Sequence, residues 1–457
     1  MNSVKFFAAI AVGVIAAGAL WLLARPEPTT ARYEFNSVGQ FQVDGNAEVL
    51  AATPDGQLLL HTNAMRGSVD IVDIADPENP AALAVVPVSG EPTSVAVTPD
   101  GNWALATTRL TAAAETGSRS DPYFPGALVL IDLRTPASAT VSAVIGVGHQ
   151  PDSVAVTRSG PNLYAIMAIE NEPIMTGEGD TARDISLPGA VQIVSFDPDR
   201  PGSYRVAALD LSRERLKRAG LEAPDDPQPE YVAAAPNQAL AAASLQENNG
   251  FVLFDPYNLE IKRVFSAGSV NDRLADLTAD EQVELVRDYP ADALPRQAAA
   301  GRRFPDGVAF SPDGTYLLSA DEGDPPLTGG RGFSIWTLDG ELVWDDAGEI
   351  EREAARQGFY PDAQSATRGI EIEGIATARL DGDDYAFVTS ESGGFMAIYD
   401  ISDPAAPSFV QLLTTGSGPE SVVSIPGRGL IVTGSEVAGL LHIFRHDPLP
   451  GDAGSGR

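Results

Sequence analysis

From residue 47 onward, short apolar runs rich in β-branched and aromatic residues follow one another, separated by turn residues and too short for helices. One kind of run keeps a fixed phase. An acidic residue opens it, three to five mostly apolar residues follow, and a turn begins six positions after the acid, as in Glu230-Tyr-Val-Ala-Ala-Ala-Pro236. The phase recurs at Glu48 (turn at Pro54), Asp152 (Arg158), Asp306 (Pro312), Glu373 (Arg379) and Glu420 (Pro426), and a seventh copy, Ser94–Pro99, has Thr93 in the acidic place. Unequal spacing between copies, with further strands in each gap, predicts a seven-bladed β-propeller whose blades carry loops of different length.

Each unit supplies the strands a blade needs. After the phased run comes a reversal, three times Pro-Asp-Gly (Pro54, Pro99, Pro312), which presets φ at the proline and accepts positive φ at the glycine. A second apolar run follows, then a third: Val69–Ile74, Ala127–Leu133, Val191–Phe196, Phe251–Phe254, Phe333–Trp336, Phe395–Tyr399 and Leu440–Phe444. Fourth strands are expected at Ala82–Val88, Val141–Val147, Tyr204–Leu209, Ile261–Phe265, Glu341–Trp344 and Phe409–Leu413. The last unit has none of its own, whereas Tyr33–Val43 is a spare strand at the front. Pairing the two closes the ring and removes an open sheet edge.

Several of these pieces resemble the choice-of-anchor I propeller family: Pro229-Glu-Tyr-Val with Ser244-Leu-Gln-Glu-Asn-Asn249, Pro305-Asp-Gly-Val with Ala320-Asp-Glu-Gly-Asp324, and Glu373-Gly-Ile-Ala with Phe387-Val-Thr-Ser-Glu391. Asp70–Pro80 and Tyr399–Pro404 also resemble the LVIVD repeats of bacterial surface proteins. The resemblance runs from about Ala47 to Phe444. It implies a propeller and an exported protein, with members found alone or beside alkaline-phosphatase-like regions; it implies no defined reaction.

The N-terminus reads as a targeting segment. Lys5 precedes nineteen uncharged residues, Phe6–Ala24, closed by Arg25-Pro26. That length lies between the apolar core of a secretory signal, roughly 7–15 residues, and the roughly 20 of a spanning helix. With only Thr29-Thr30-Ala31 as a cleavage site, an uncleaved anchor is favoured. The expected organisation is a signal or anchor over 1–31, the propeller over 32–446 and a disordered tail over 447–457. The protein is expected in the periplasm or on the cell surface, anchored in the inner membrane by its single N-terminal segment, and monomeric.

Composition narrows the chemistry. The 457 residues hold 63 acids against 30 bases, a formal charge of -33, which repels nucleic acid and attracts cations or basic partners. There is no cysteine, so disulfides and thiolate metal sites are excluded, and the four histidines, His61, His149, His442 and His446, show no ligand spacing. The second strands also end in acids: Glu170, Glu247, Glu322, Glu391 and Glu436, with Asn63 and Thr108 in the first two units. In an up-and-down blade the start of strand one and the end of strand two share a face. The long inserts 111–125, 171–189, 212–228, 267–304, 323–331 and 346–370 emerge on that face too. Short helices are expected at Leu211–Gly220 and at Thr278–Tyr289, the latter opened by a capping-box pattern, Thr278-Ala-Asp-Glu281. They would bring Arg213, Arg215, Lys217, Arg218 and Arg287 near the acidic mouth.

Two carboxylates about 6 Å apart repel by roughly 3 kcal/mol at an effective dielectric near 20. A ring of them must therefore hold protons, find donors or bind a hard cation. Oxygen-only ligands point to Ca²⁺ or Mg²⁺. The candidate metal ligands are Glu48, Asp152, Glu170, Glu230, Glu247, Asp306, Glu322, Glu373, Glu391, Glu420 and Glu436. The leading expectation is an exported binding module with a cation, a small molecule or a protein held at this mouth. The alternative is a metal-dependent phosphatase or esterase, with Glu247 or Glu322 as base and insert arginines holding the anion. A purely structural reading also stands, in which the carboxylates accept hydrogen bonds that fasten one blade to the next.

Overall fold

The computed structural model describes residues 33–109, 125–171, 174–176, 183–185, 189–273, 275–276, 278–283, 285, 299–323 and 329–449. Phe35–His446 is one compact unit, the propeller, while Met1–Glu34 with Asp447–Arg457 forms a second unit. Of that second unit only Tyr33, Glu34, Asp447, Pro448 and Leu449 are described, as strand ends and the residue that follows. The expected anchor and residues 450–457 of the expected tail lie outside the described residues, while Asp447 and Pro448, placed in that tail, end the last strand. Among those described, no helix is long and apolar enough to cross a membrane.

Seven four-stranded antiparallel sheets make the blades. Their innermost strands are Leu50–Ala52, Glu91–Val97, Pro151–Ser159, Pro229–Ala234, Pro305–Phe310, Ile372–Leu380 and Pro419–Ile425, which number blades 1 to 7. The strands predicted third and fourth in each unit appear within a residue or two of their expected bounds, except that the one expected at Leu440–Phe444 runs on to Pro448. In blade 7 the order from the outside is Tyr33–Gln42, Leu440–Pro448, Leu430–Ser435, Pro419–Ile425, so the N-terminal strand completes the last sheet as expected. Val43 N donates to Gly439 O at 2.9 Å, and Ser37 Oγ lies 2.7 Å from His442 Nε2.

The core is divided as the ring requires. Each of seven apolar clusters fills one gap between neighbouring blades, from Leu60, Ile71 and Val129 between blades 1 and 2 to Leu59, Val432 and Ile443 between blades 7 and 1. Alternation along each strand buries side chains on both faces of every blade, so the fold is closed and its rigidity is shared around the circle.

On the insert side, Arg213–Arg218 is a short helix inside the expected Leu211–Gly220. The helix expected at Thr278–Tyr289 is not formed over Thr278–Val283, which is irregular. Local competition explains this. Asp276 accepts from Thr278 N at 3.2 Å and Asp280 from Gln282 N at 3.1 Å, while Glu281, at φ 64°, gives its N–H to Asp362 Oδ2 at 2.7 Å. Side-chain turns and a partner in another insert take the donors that a first helical turn would have used. A helix does form at Glu349–Gln357, where the pattern was not read. Insert 267–304 adds a hairpin, Ser269–Arg273 with Ala299–Arg302.

Candidate functional site

The phased acids owe their direction to a repeated irregularity. In blades 2 to 7 the innermost strand carries a β-bulge at its first residues: at Thr93, Asp152, Glu230-Tyr231, Asp306-Gly307, Glu373-Gly374 and Glu420. A bulge adds one residue to one strand and re-aims a side chain out of the pleat. Here it turns the same position of each blade toward the axis. In blade 1, Glu48 lies just ahead of strand Leu50–Ala52. The inner strands approach so closely that a Cβ on Gly307 would stand 2.4 Å from Glu373 O, and one on Gly374 2.4 Å from Glu420 O.

Seven carboxylates therefore line one cavity of about 270 Å³: Glu48, Glu91, Asp152, Glu230, Asp306, Glu373 and Glu420, with Arg109 in its wall. Six of these were expected. Glu91 was not, and it corrects the picture of blade 2, where Thr93 also lines the cavity and Arg109 Nη2 bonds Glu91 Oε1 at 2.8 Å. Blade 2 thus contributes an ion pair where the others contribute an acid.

The strand-end acids come up against this ring. Asp152, Glu170 and Glu230 can each place an oxygen within 4.8 Å of the other two, and Glu322, Glu371 and Glu373 form a second such group. Glu436 shares a hydrogen bond with Glu420, and Glu391 with both Glu373 and Glu371. Glu247 raises the pKa of both Asp306 and Glu322 by its charge. Glu371 was missed in the sequence. It sits at φ 51°, outside the phase, with its carboxylate buried and bonded by Arg368 and Ser392.

Burial and crowding raise these carboxyls. Burial, then the charges of Glu436 and Glu91, push Glu48 up to about 8, with Arg109 opposing. Burial, Glu48 and the bond to Glu436 push Glu420 up to about 10. Burial and the charge of Glu371 raise Glu322 to about 7. Asp306 and Glu373 are held well above the ordinary carboxylate range, first by burial and then by their acidic neighbours, and Glu391 is raised for the same reasons. Without a cation, this mouth holds protons at neutral pH.

Several blade-to-blade bonds near the ring come from hydroxyls. Ser153 Oγ accepts from Val232 N at 3.2 Å and Ser94 Oγ from Val154 N at 3.2 Å, while Thr93 and Ser421 donate to Pro151 O and Glu48 O of the following blades. Part of the fastening considered for the acids is thus supplied at the neighbouring positions.

The insert arginines do not converge as expected. Arg213 pairs with Asp225 at 2.5 Å inside insert 212–228, Arg215 with Asp210 at 3.7 Å just before it, and Arg287 lies outside the described residues. The buried arginines are others. Arg331 donates to Ser365 O at 2.9 Å, Asp276 O at 3.2 Å and Glu351 at 3.3 Å, so it joins inserts 267–304, 323–331 and 346–370. Arg273 and Arg303 meet Asp345 at 2.8 and 3.0 Å, and Arg303 stands 3.7 Å from Asp321, the residue before Glu322. His61 and His442 are structural, with Nδ1 of the former 3.0 Å from Thr62 O.

Comparison with known proteins agrees with the geometry. The family model described as "Choice-of-anchor I domain" matches residues 48–324 and 326–404. The match stops before blade 7, short of the Phe444 that the sequence resemblance reached. No curated protein matches the chain. Among solved structures, Kuenenia stuttgartiensis hydrazine synthase aligns at a TM-score of 0.55 and 14% identity, covering 89% of this chain and 97% of that one, a likeness of fold alone. With the family model covering well over half its length and the seven blades it implies in place, the chain belongs to the choice-of-anchor I family.

Proposed function

We propose that the mouth binds divalent cations, Ca²⁺ in the first place and Mg²⁺ in the second, and that the protein serves as an exported binding module built around them. The observation that carries this reading is the set of seven carboxylates around one cavity of about 270 Å³, backed by a second set of acids. Ca²⁺ takes six to eight oxygens at about 2.3–2.6 Å, so one ion can bridge oxygens up to roughly 5 Å apart. The groups Asp152, Glu170, Glu230 and Glu322, Glu371, Glu373 meet that spacing, so two subsites are proposed rather than a single axial one. Membership of the choice-of-anchor I family fits an exported or surface-displayed protein, and anchoring by residues 6–24 is part of the proposal. A bound cation with open positions would then recruit a small molecule or a protein loop at the insert-bearing face. The test is metal analysis of the purified full chain, followed by melting with Ca²⁺, with Mg²⁺ and with chelator. Melting that ignores all three, with no copurified metal, rejects the reading.

The hydrolase reading keeps two observations. Arg109 stands in the cavity wall, where it could hold an anionic substrate, and Glu322 is raised to about 7, suited to a general base. Turnover of p-nitrophenyl phosphate or acetate that disappears in Glu322→Gln would favour it over binding alone.

A further inference from the structure

We propose that Arg368 is a built-in counter-ion for the subsite between blades 5 and 6, occupying Glu371 until an incoming divalent cation displaces it. This rests on the cation reading of the mouth and assigns its regulation to one side chain. Arg368 Nη1 bonds Glu371 Oε1, while Ser392 Oγ donates to the other oxygen. When the guanidinium leaves, Ser392 still holds the carboxylate in place, and Glu371 loses its charged partner beside Glu322 and Glu373.

The two partners differ in exposure, which makes the exchange feasible. The Glu371 side chain is 3% exposed and that of Arg368 is 56% exposed, so the guanidinium lies on the solvent side and can swing away without opening the fold. The backbone beneath it is fixed. Gly369 N and Arg368 N donate to Gln364 O at 2.9 and 3.1 Å, Glu371 N to Arg368 O at 3.1 Å, and buried Arg331 holds Ser365 O at 2.9 Å. A Cβ on Gly369 would lie 2.6 Å from Arg331 Cζ, so the turn is seated directly on that guanidinium. A rigid turn thus presents one mobile positive charge, which also offsets Glu322 and Glu391. A cation entering this subsite must first pay for displacing it.

Titration calorimetry of the full chain with calcium chloride tests the idea. Removing one positive charge beside the subsite in Arg368→Ala should tighten Ca²⁺ binding about tenfold, and Arg368→Lys should stay within roughly threefold of the parent. Raising the salt should shrink the difference, because the charge is solvent-facing. Binding of equal strength in parent and Arg368→Ala overturns the counter-ion and leaves the cation reading intact. Weaker binding in Arg368→Ala also overturns it, since the arginine would then support the site. If neither protein binds Ca²⁺, both ideas fall. A silent parent beside a binding Arg368→Ala supports the counter-ion in its strongest form.

Discussion

Gln246 Nε2 donates to Glu322 Oε2 at 2.6 Å, joining the second-strand ends of blades 4 and 5 across the acidic mouth. The bond fixes one oxygen of Glu322, whose carboxylate also groups with Glu371 and Glu373. Glu322→Gln should therefore weaken Ca²⁺ binding by about tenfold, which is about 1.4 kcal/mol. A cation at a hundred times its dissociation constant should stabilise the parent by about 2.7 kcal/mol, and Glu322→Gln should show about half that gain at the same concentration. Calorimetric melting with Ca²⁺ and with chelator reads both numbers. A purely structural Glu322 predicts a loss of stability that is the same with and without the cation.

Closure of the ring can be tested away from the mouth. Phe35 is 1% exposed, with its ring centroid 5.4 Å from Tyr385 and 5.5 Å from Phe387 in edge contacts. Phe35→Ala should cost about 3–5 kcal/mol, the usual range for a buried aromatic truncated to alanine. Deleting residues 32–43 should cost more, because it also exposes the edge of Leu440–Pro448. Urea unfolding measures the first, and a melt of the deletion variant the second. An unchanged melt would show that the N-terminal strand is dispensable.

The blades and most of the mouth are legible in the chain because each rests on a local signal. Alternation marks the strands, Pro-Asp-Gly marks the reversals, and the fixed distance from acid to turn marks the bulged position that faces the axis. Glu91 and Glu371 escape because each stands two residues before the phase position, at Thr93 and Glu373. Glu91 enters at the first residue of its strand and Glu371 from a left-handed turn at φ 51° just ahead of its strand, backbone features with no signal of their own. The Arg331 and Arg303 contacts escape for a different reason. The partners of Arg331 lie in inserts 267–304 and 346–370 and those of Arg303 at the strand ends Asp321 and Asp345, and nothing in the composition of a loop says which distant carboxylate or carbonyl its arginine will meet. The misplaced helix belongs here too, since Glu281 N finds its acceptor on Asp362 in another insert.

The raised carboxyls set the direction of the pH response. A group whose folded pKa lies above its ordinary value of 4.5 contributes its full stabilisation below 4.5 and loses it as pH climbs to the folded value. For Glu322 the loss is complete near 7, for Glu48 near 8 and for Glu420 near 10. The folded state binds more protons than the unfolded one across this window. In chelator, urea midpoints should therefore fall steadily from pH 5 to pH 8.5. Saturating Ca²⁺ should flatten or reverse the trend, because deprotonation then gains a partner. A midpoint in chelator that rises with pH would contradict the crowding of these acids.

Proton counting joins the pH response to the cation. At pH 7 Glu48 and Glu420 are mostly protonated, and Glu322 about half so. Carboxyls must lose their protons to ligate or neutralise a cation, so binding should expel roughly one to two protons per ion at that pH. Calorimetric titrations with calcium chloride in two buffers of different ionisation enthalpy give the number from the difference in observed heat. The count per ion should rise slightly as pH falls to 5.5, where Glu322 too is protonated although binding is weaker, and should approach zero above pH 10, where the acids are already ionised. Glu420→Gln removes the most strongly raised of the three and should lower the count at pH 7. A count of zero at pH 7, with Ca²⁺ bound tightly, would exclude these three and leave the group of Asp152, Glu170 and Glu230 as the binding subsite.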